Sequence, residues 1–115
     1  MSSKDRMLCV FYGLVAVAAL IGTWSYNLQF FAIPDNGGIA GFIRQGFANP
    51  AAASLSTDLG FLCLAAIPWM LVEGRDRGIR HLWIFVVGSL TIAISVMFPL
   101  FLLVRQVKLA GNRLR

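Results

Sequence analysis

Charged side chains are scarce in this sequence. Asp, Glu, Lys and Arg make up only 13% of its 115 residues, whereas 58% are hydrophobic; a typical soluble domain has roughly 25% charged residues. A chain this short has a high ratio of surface to volume, so it could not bury so much apolar surface in water. The composition therefore excludes soluble enzymes and soluble binding modules. It predicts a single membrane domain, residues 1–115, with the lipid bilayer as its main partner.

Residues that commonly build metal or catalytic sites are also few. The sequence has one histidine and two cysteines. His81 has no neighbouring co-ligand, and Cys9 and Cys63 fall at different depths of separate apolar runs, with no CxxC motif. We expect no metal site, no cofactor and no catalytic residue, and the favoured interpretation is a protein that is not an enzyme.

Basic residues outnumber acidic ones, ten to five. They flank the apolar runs and form no basic surface interleaved with aromatics, so headgroup contacts are expected and nucleic acid is not. Three straight spans would place five basic residues on each face of the membrane. One face would carry Lys4, Arg6, Arg75, Arg77 and Arg80, and the other Arg44, Arg105, Lys108, Arg113 and Arg115. This tie leaves the orientation in a plasma or inner membrane open.

Long apolar runs, in contrast, are plentiful. Residues 7–31, 50–72 and 79–104 each reach the roughly 20 residues that a spanning helix needs. The first run is longer than the apolar core of a signal peptide and ends in bulky aromatics, so we expect an uncleaved span. Asn49 is a good N-cap and Pro50 suits the first helical position, which predicts the start of the second span.

The remaining segments connect or flank these runs. Apolar residues recur at helical spacing from Ile39 to Phe47 after a Pro-Asp-Asn-Gly-Gly turn, which predicts a short interfacial helix over residues 39–48, with an irregular loop as the alternative. Residues 105–115 form a polar tail. The expected fold is all-α, with three transmembrane helices and a short interfacial helix between the first and second.

Residues at the expected membrane surfaces have ordinary interpretations. Glu73 and Asp76 should lie in water, paired with Arg75, Arg77 or Arg80. Gly74 should close the second span in a left-handed conformation. The large aromatics are expected to anchor the helices at the headgroups. They are Tyr12, Trp24, Tyr26, Trp69 and Trp83.

Asp58 stands out because it lies about 12 Å inside the second span at 1.5 Å per residue. A carboxylate there costs about 2.5–3.5 kcal/mol, so it should face the other helices and find a partner. Matching depths across three straight spans predicts an intramembrane polar site. Its members would be Tyr26, Asn27, Asp58, Ser95 and Arg105. The favoured alternative is that Asp58 only links helices by hydrogen bonds and binds no ligand.

Three functional interpretations remain open. The favoured one is a non-enzymatic accessory or oligomeric membrane component, which contacts itself or a larger membrane complex through small residues spaced by four. These pairs are Ala18 and Gly22, Ser56 and Gly60, and Ser89 and Ala93. The alternative is a small transporter or channel component that binds a proton or cation at Asp58. The second alternative is a membrane enzyme acting on a lipid or isoprenoid, although acid–base catalysis usually calls for a second polar group.

A series of short motifs resembles a known family. The motifs are Phe47-Ala48-Asn49-Pro50, Asp58-Leu59, Glu73-Gly74-Arg75, Trp83, and Phe98-Pro99-Leu100-Phe101-Leu102 followed by Arg105. Their order and spacing are similar to those of the family catalogued as domain of unknown function 2834, over residues 23–106. The resemblance implies a three-helix membrane protein with Asn49, Asp58, Glu73 and Arg105 as positions of interest, and it implies no activity. Gln106 departs from the acid that often follows the arginine in the family, which puts an ion pair there in doubt.

Overall fold

The regular structure of the chain is helical throughout. The computed structural model describes residues 2–113, and side chains up to residue 111. Its elements are α1 (Ser3–Ala32), α2 (Gly38–Gln45), α3 (Pro50–Asp76), α4 (Leu82–Gly88), a π-helical segment (Ser89–Ala93) and α5 (Ile94–Arg113). No strand occurs within residues 2–113. The expectation of an all-α fold is confirmed.

Three helical stretches are long and apolar enough to cross a membrane. They are Ser3–Ala32, Pro50–Asp76 and Leu82–Gly111. The short helix α2 separates the first from the second, as the periodicity predicts. The predicted polar tail, residues 105–115, is helical as far as Arg113, because α5 continues into it.

The helix starts follow local hydrogen bonding. At α1, the Ser2 hydroxyl accepts the Asp5 N–H at 3.2 Å and the Asp5 carboxylate accepts the Ser2 N–H at 3.2 Å, which forms a capping box. At α3, the Asn49 side chain accepts the Ala52 N–H at 2.8 Å, and Pro50 occupies the first helical position. The predicted start of the second helix is confirmed.

The end of α3 corrects the expectation for Gly74. The helix continues past Gly74 to Asp76, and the left-handed residue is Gly78, with φ of 73°. The Ile79 N–H then donates to the Gly74 carbonyl at 2.8 Å, which turns the chain back toward α3. Gly74 is needed for a different reason: it is buried against Leu82, which would collide with any added Cβ atom.

The third apolar run does not form a straight rod. In a straight helix the Cα atoms of residues 85 and 101 would be about 24 Å apart, yet the rings of Phe85 and Phe101 pack with centroids 5.5 Å apart. Gly88 likewise lies directly against the Met97 side chain. The chain therefore reverses through the π-helical segment, and α4 and α5 form the two arms of a hairpin. A π-helical turn is one of the known causes of sharp bends in helices.

Because of the hairpin, most helix ends lie at one end of the molecule, which we call the basal end. It holds the start of α1, the end of α3, the start of α4 and the later turns of α5. Met70, Ile79 and Phe101 form a buried core there. The opposite end, which we call the α2 end, carries α2 and the adjoining turns of α1 and α3.

Candidate functional site

Glu73 is the centre of an ion-pair cluster at the basal end. Its Oε1 accepts hydrogen bonds from Nε of Arg105 at 2.8 Å and Nε of Arg77 at 2.9 Å. The Arg77 contact spans one helical turn of α3, whereas the Arg105 contact joins α3 to α5. Glu73 thus pairs with a nearby arginine as expected, and it also fixes the position of α5.

Aromatic side chains pack against Arg105. Its guanidinium carbon lies 5.8 Å from the centroid of the Trp69 ring, in cation–π geometry. Trp69 packs edge-on against Phe98 and Phe101, with centroids 5.9 and 5.5 Å apart. Phe101 is fully buried. The cluster therefore rests directly on the apolar core, and Trp69 is part of that contact as well as a surface aromatic.

A second polar contact joins α5 to α1. The Gln106 amide donates to Oδ1 of Asp5 at 2.6 Å, and the Ser2 hydroxyl donates to Oδ2 of Asp5 at 2.9 Å. Asp5 is only 2% exposed and Gln106 only 9% exposed. Although it replaces the acid expected at this position, Gln106 supplies the donor that a buried carboxylate requires.

Adjacent residues of α5 thus bind two different helices. Arg105 holds Glu73 of α3, and Gln106 holds Asp5 of α1. We call these four residues the basal latch. Its carboxylates are engaged with side-chain donors, and among the described residues no three His, Cys, Asp or Glu side chains lie close enough to hold a metal ion. The latch is suited to fixing the helices and has no evident nucleophile or proton-transfer pair.

The structure does not bring the five members of the predicted polar site together. Tyr26 is 73% exposed on α1, Asn27 is half-buried, and Asp58 and Ser95 are exposed on α3 and α5. Within residues 2–111, no hydrogen bond or ion pair joins any two of the five.

Arg105 is the member whose position requires correction. The prediction placed it on the face of Arg44 because it assumed a straight third span. The reversal between Gly88 and Met97 returns α5 to the basal end, where Arg105 binds Glu73. The remaining members stay a prediction for a site that a single chain does not complete.

Two positions of the latch were missed by sequence reasoning. Asp5 carries a weak signal, since Ser2-x-x-Asp5 matches a capping box. Gln106 carries none, because only the fold reveals that it faces α1. Trp24, a predicted headgroup anchor, has its indole N–H donated to the Ile92 carbonyl at 3.0 Å. It therefore satisfies a backbone group of the π-helical segment.

These features define a small helical protein with three helical stretches that have the length and apolar composition to cross a membrane. Residues 11–107 match the family described as protein of unknown function DUF2834. The chain belongs to this family, and the resemblance read from its motifs is confirmed and extends further toward the start of the chain. No curated protein and no solved structure matches it.

Proposed function

We propose that this protein is a non-enzymatic membrane component that associates with a second copy of itself through the α2-end halves of α1 and α3. The observation that carries the proposal is Asp58. It is exposed and has no hydrogen-bond or ion-pair partner within the described chain. About 12 Å inside an apolar helix, such a carboxylate should be covered by protein rather than by lipid.

The packing of the helices also favours self-association through the α2-end halves of α1 and α3. The hairpin packs along α1 from Asp5 as far as Trp24, and α1 and α3 make few direct contacts with each other. In an apolar stretch of 18 residues in each helix, 6% of the residues of α1 and 11% of the residues of α3 are buried. The two helices therefore leave most of their length available to a neighbouring subunit.

Small residues are exposed in the α2-end halves of both helices. Gly22 and Gly60 have nothing within 4 Å of the position where a Cβ atom would lie, and Ala18 is exposed one turn before Gly22. Such residues permit close approach of helix backbones in lipid. In contrast, Ser89 is buried in the hairpin, so the pair of Ser89 and Ala93 serves an internal contact.

A shallow surface depression lies on the α2-end half of α3. It is lined by Phe47, Ser56, Thr57, Gly60, Phe61 and Leu64. The Ser56 hydroxyl donates to the Gly46 carbonyl at 2.8 Å, which fixes the segment after α2 against α3. Aromatic and small residues are thus held side by side, and this shape suits a helix from a second copy.

The oligomeric state in lipid tests the proposal. Native mass spectrometry of protein released from nanodiscs should give a dimer or a higher homo-oligomer. Asp58→Leu should shift the distribution toward monomer, since it removes the polar contact. Asp76→Leu, which changes an exposed acid at the basal end, is the matched control and should leave the distribution unchanged.

Two results would count against self-association. A monomer in every lipid composition would remove the proposal. A monomer that copurifies in fixed stoichiometry with a different membrane protein would replace it by the accessory interpretation. The transport and lipid-enzyme interpretations stay predictions; an Asp58→Asn protein that remains oligomeric but loses ion flux in vesicles would favour transport.

A further inference from the structure

The hairpin changes which residues share a face of the molecule. Its two arms begin and end at the basal end, because Ile79 and Leu82 pack with Phe101 and Val104. At 1.5 Å per residue, the rise from Leu82 to Ser89, where the π-helical segment begins, is about 11 Å, and the rise from Ala93, where it ends, back to Arg105 is about 18 Å. Each arm is therefore shorter than a hydrocarbon core that is about 30 Å thick.

The turn of the hairpin is suited to lie within the hydrocarbon core of a membrane. Backbone groups in hydrocarbon must be satisfied by the protein itself. The Ile92 carbonyl accepts the Trp24 indole N–H at 3.0 Å, and the Ser89 and Thr91 hydroxyls donate to the Phe85 and Val87 carbonyls at 2.6 and 2.7 Å. Gly88, Ser89 and Ile94 are buried. The three bonded carbonyls of the turn are thus satisfied by α1 and by the turn's own side chains, while Leu90, Thr91 and Ile92 stay exposed on its outer side.

The distribution of charge follows from this hairpin. Of the eight basic side chains that the structure describes, seven belong to the basal end and one to the α2 end. The seven are Lys4, Arg6, Arg75, Arg77, Arg80, Arg105 and Lys108, and the one is Arg44. The five-to-five tie that straight spans imply is therefore replaced by a strong asymmetry.

Most of this positive charge is available to an outside partner. Lys4, Arg6, Arg75, Arg80 and Lys108 are exposed and form no ion pair with a described residue. Glu73 and Asp5 are engaged in the basal latch, which leaves Asp76 as the exposed acid among the described basal residues. The exposed surface is therefore strongly positive.

We infer that Leu82–Arg113 is a re-entrant hairpin that enters and leaves the membrane on one side, and that the basic surface it completes binds the anionic phospholipid headgroups of the cytoplasmic leaflet. Basic residues near spanning segments are enriched on the cytoplasmic side, and that leaflet attracts them through its anionic lipids. Both ends of the described chain and the α3–α4 turn lie on the cytoplasmic side, and α2 lies on the other.

Cysteine labelling tests the topology. Single cysteines are introduced by Ser3→Cys, Asp76→Cys, Gly111→Cys and Ala40→Cys in a protein whose Cys9 and Cys63 are replaced by alanine. All four positions are exposed. With a membrane-impermeant maleimide on sealed right-side-out and inside-out vesicles of a bacterial inner membrane, the first three should label from the cytoplasmic side and Ala40→Cys from the other. A Gly111→Cys protein that labels together with Ala40→Cys has a straight third span, and this result overturns the inference.

The lipid contact is tested separately with spin-labelled lipids. The purified protein is reconstituted in phosphatidylcholine with trace spin-labelled phosphatidylglycerol or phosphatidylcholine, and the immobilised fraction of each lipid is compared. Phosphatidylglycerol should be favoured several-fold at low salt and less at high salt. The triple variant Lys4→Gln, Arg80→Gln, Lys108→Gln should lose most of this preference, whereas the matched control Arg44→Gln should keep it. Equal immobilisation of both lipids, or an equal loss in the control, rejects the lipid contact.

Discussion

Asp5 and Glu73 illustrate how single residues hold this fold. Each is a carboxylate at the basal end, and each accepts hydrogen bonds from its own segment and from α5. The local donors, Ser2 and Arg77, follow from capping and from i, i+4 spacing, which the sequence reveals. The contacts with α5 depend on tertiary structure, and no local pattern reveals them.

Gln106→Ala should destabilise the protein because buried Asp5 loses a donor. Removing a hydrogen-bond partner from a buried polar group costs about 1–3 kcal/mol. The midpoint of thermal unfolding in detergent should fall accordingly. Gln29→Ala, at an exposed position of α1, serves as the control; an equal fall in both proteins would show that the Gln106 contact contributes nothing.

Glu73 and Arg105 should behave as a coupled pair. Glu73→Gln and Arg105→Gln should each lower the unfolding midpoint, and the double variant should lower it by less than the two effects together, since each single change already breaks the same contact. Arg75→Gln, at an exposed neighbour of Glu73, should combine additively with Glu73→Gln. Additivity for the Glu73 and Arg105 pair would mean that their contact does not form in the membrane.

At the scale of elements, the sequence predicts all three long helical stretches, but it does not reveal the bend within the third. Asn49, Pro50 and uninterrupted apolar runs are local signals, and the helices begin where these signals lie. The run 79–104 is just as apolar, so hydropathy alone describes it as one more span. Gly88 allows the close contact with Met97 across the bend, but glycine also occurs in straight membrane helices.

This bend also explains why the polar site was only partly predictable. Matching depths between Asp58 and Arg105 requires that residue 105 lie far from residue 79 along the membrane normal. The packing of Ile79 with Phe101 shows that the two are close to one level. The identity of Asp58 as an unusual residue could be read from the sequence, but its neighbours could not.

Gly88→Leu should force the arms of the hairpin apart. A Cβ atom at Gly88 would lie 2.7 Å from the Met97 sulfur and 2.8 Å from its Cγ atom, and overpacking of this kind costs about 1–3 kcal/mol. Adding Met97→Ala should restore part of the lost stability by making room. Gly111→Leu, at a position with nothing within 4 Å, should have little effect. If Gly88→Leu unfolds at the same temperature as the unmodified protein, the two arms do not pack as described.

At the scale of the whole molecule, the two ends differ in how completely they are packed. The basal end has a buried core and the latch, whereas the α2 end has exposed apolar helices and an exposed Asp58. The proposed dimer contact and the proposed headgroup contact therefore fall on different regions of the protein. A variant can be expected to affect one without the other.

Gly60→Leu should weaken self-association without loss of the monomer fold. Gly60 has open space around it within one chain, so a leucine is tolerated there but would keep a neighbouring helix from approaching closely. The dimer fraction, measured by single-molecule photobleaching in liposomes, should fall, while the unfolding midpoint of the detergent-solubilised monomer should change little. An unchanged dimer fraction would locate the contact away from this face of α3.

Arg105 and Gln106 are consecutive in α5 and bind two different helices. The number of residues between the hairpin turn and this pair is therefore fixed by both contacts. An inserted residue anywhere between the hairpin turn and Leu102 would rotate both side chains by about 100° and advance them by about 1.5 Å. Glu73 and Asp5 would then lose their hydrogen-bond donors on α5 at the same time, although they belong to different helices. The tolerance of this protein to insertions and deletions should accordingly be lowest in a stretch of plain apolar sequence, and far higher in the turns around α2.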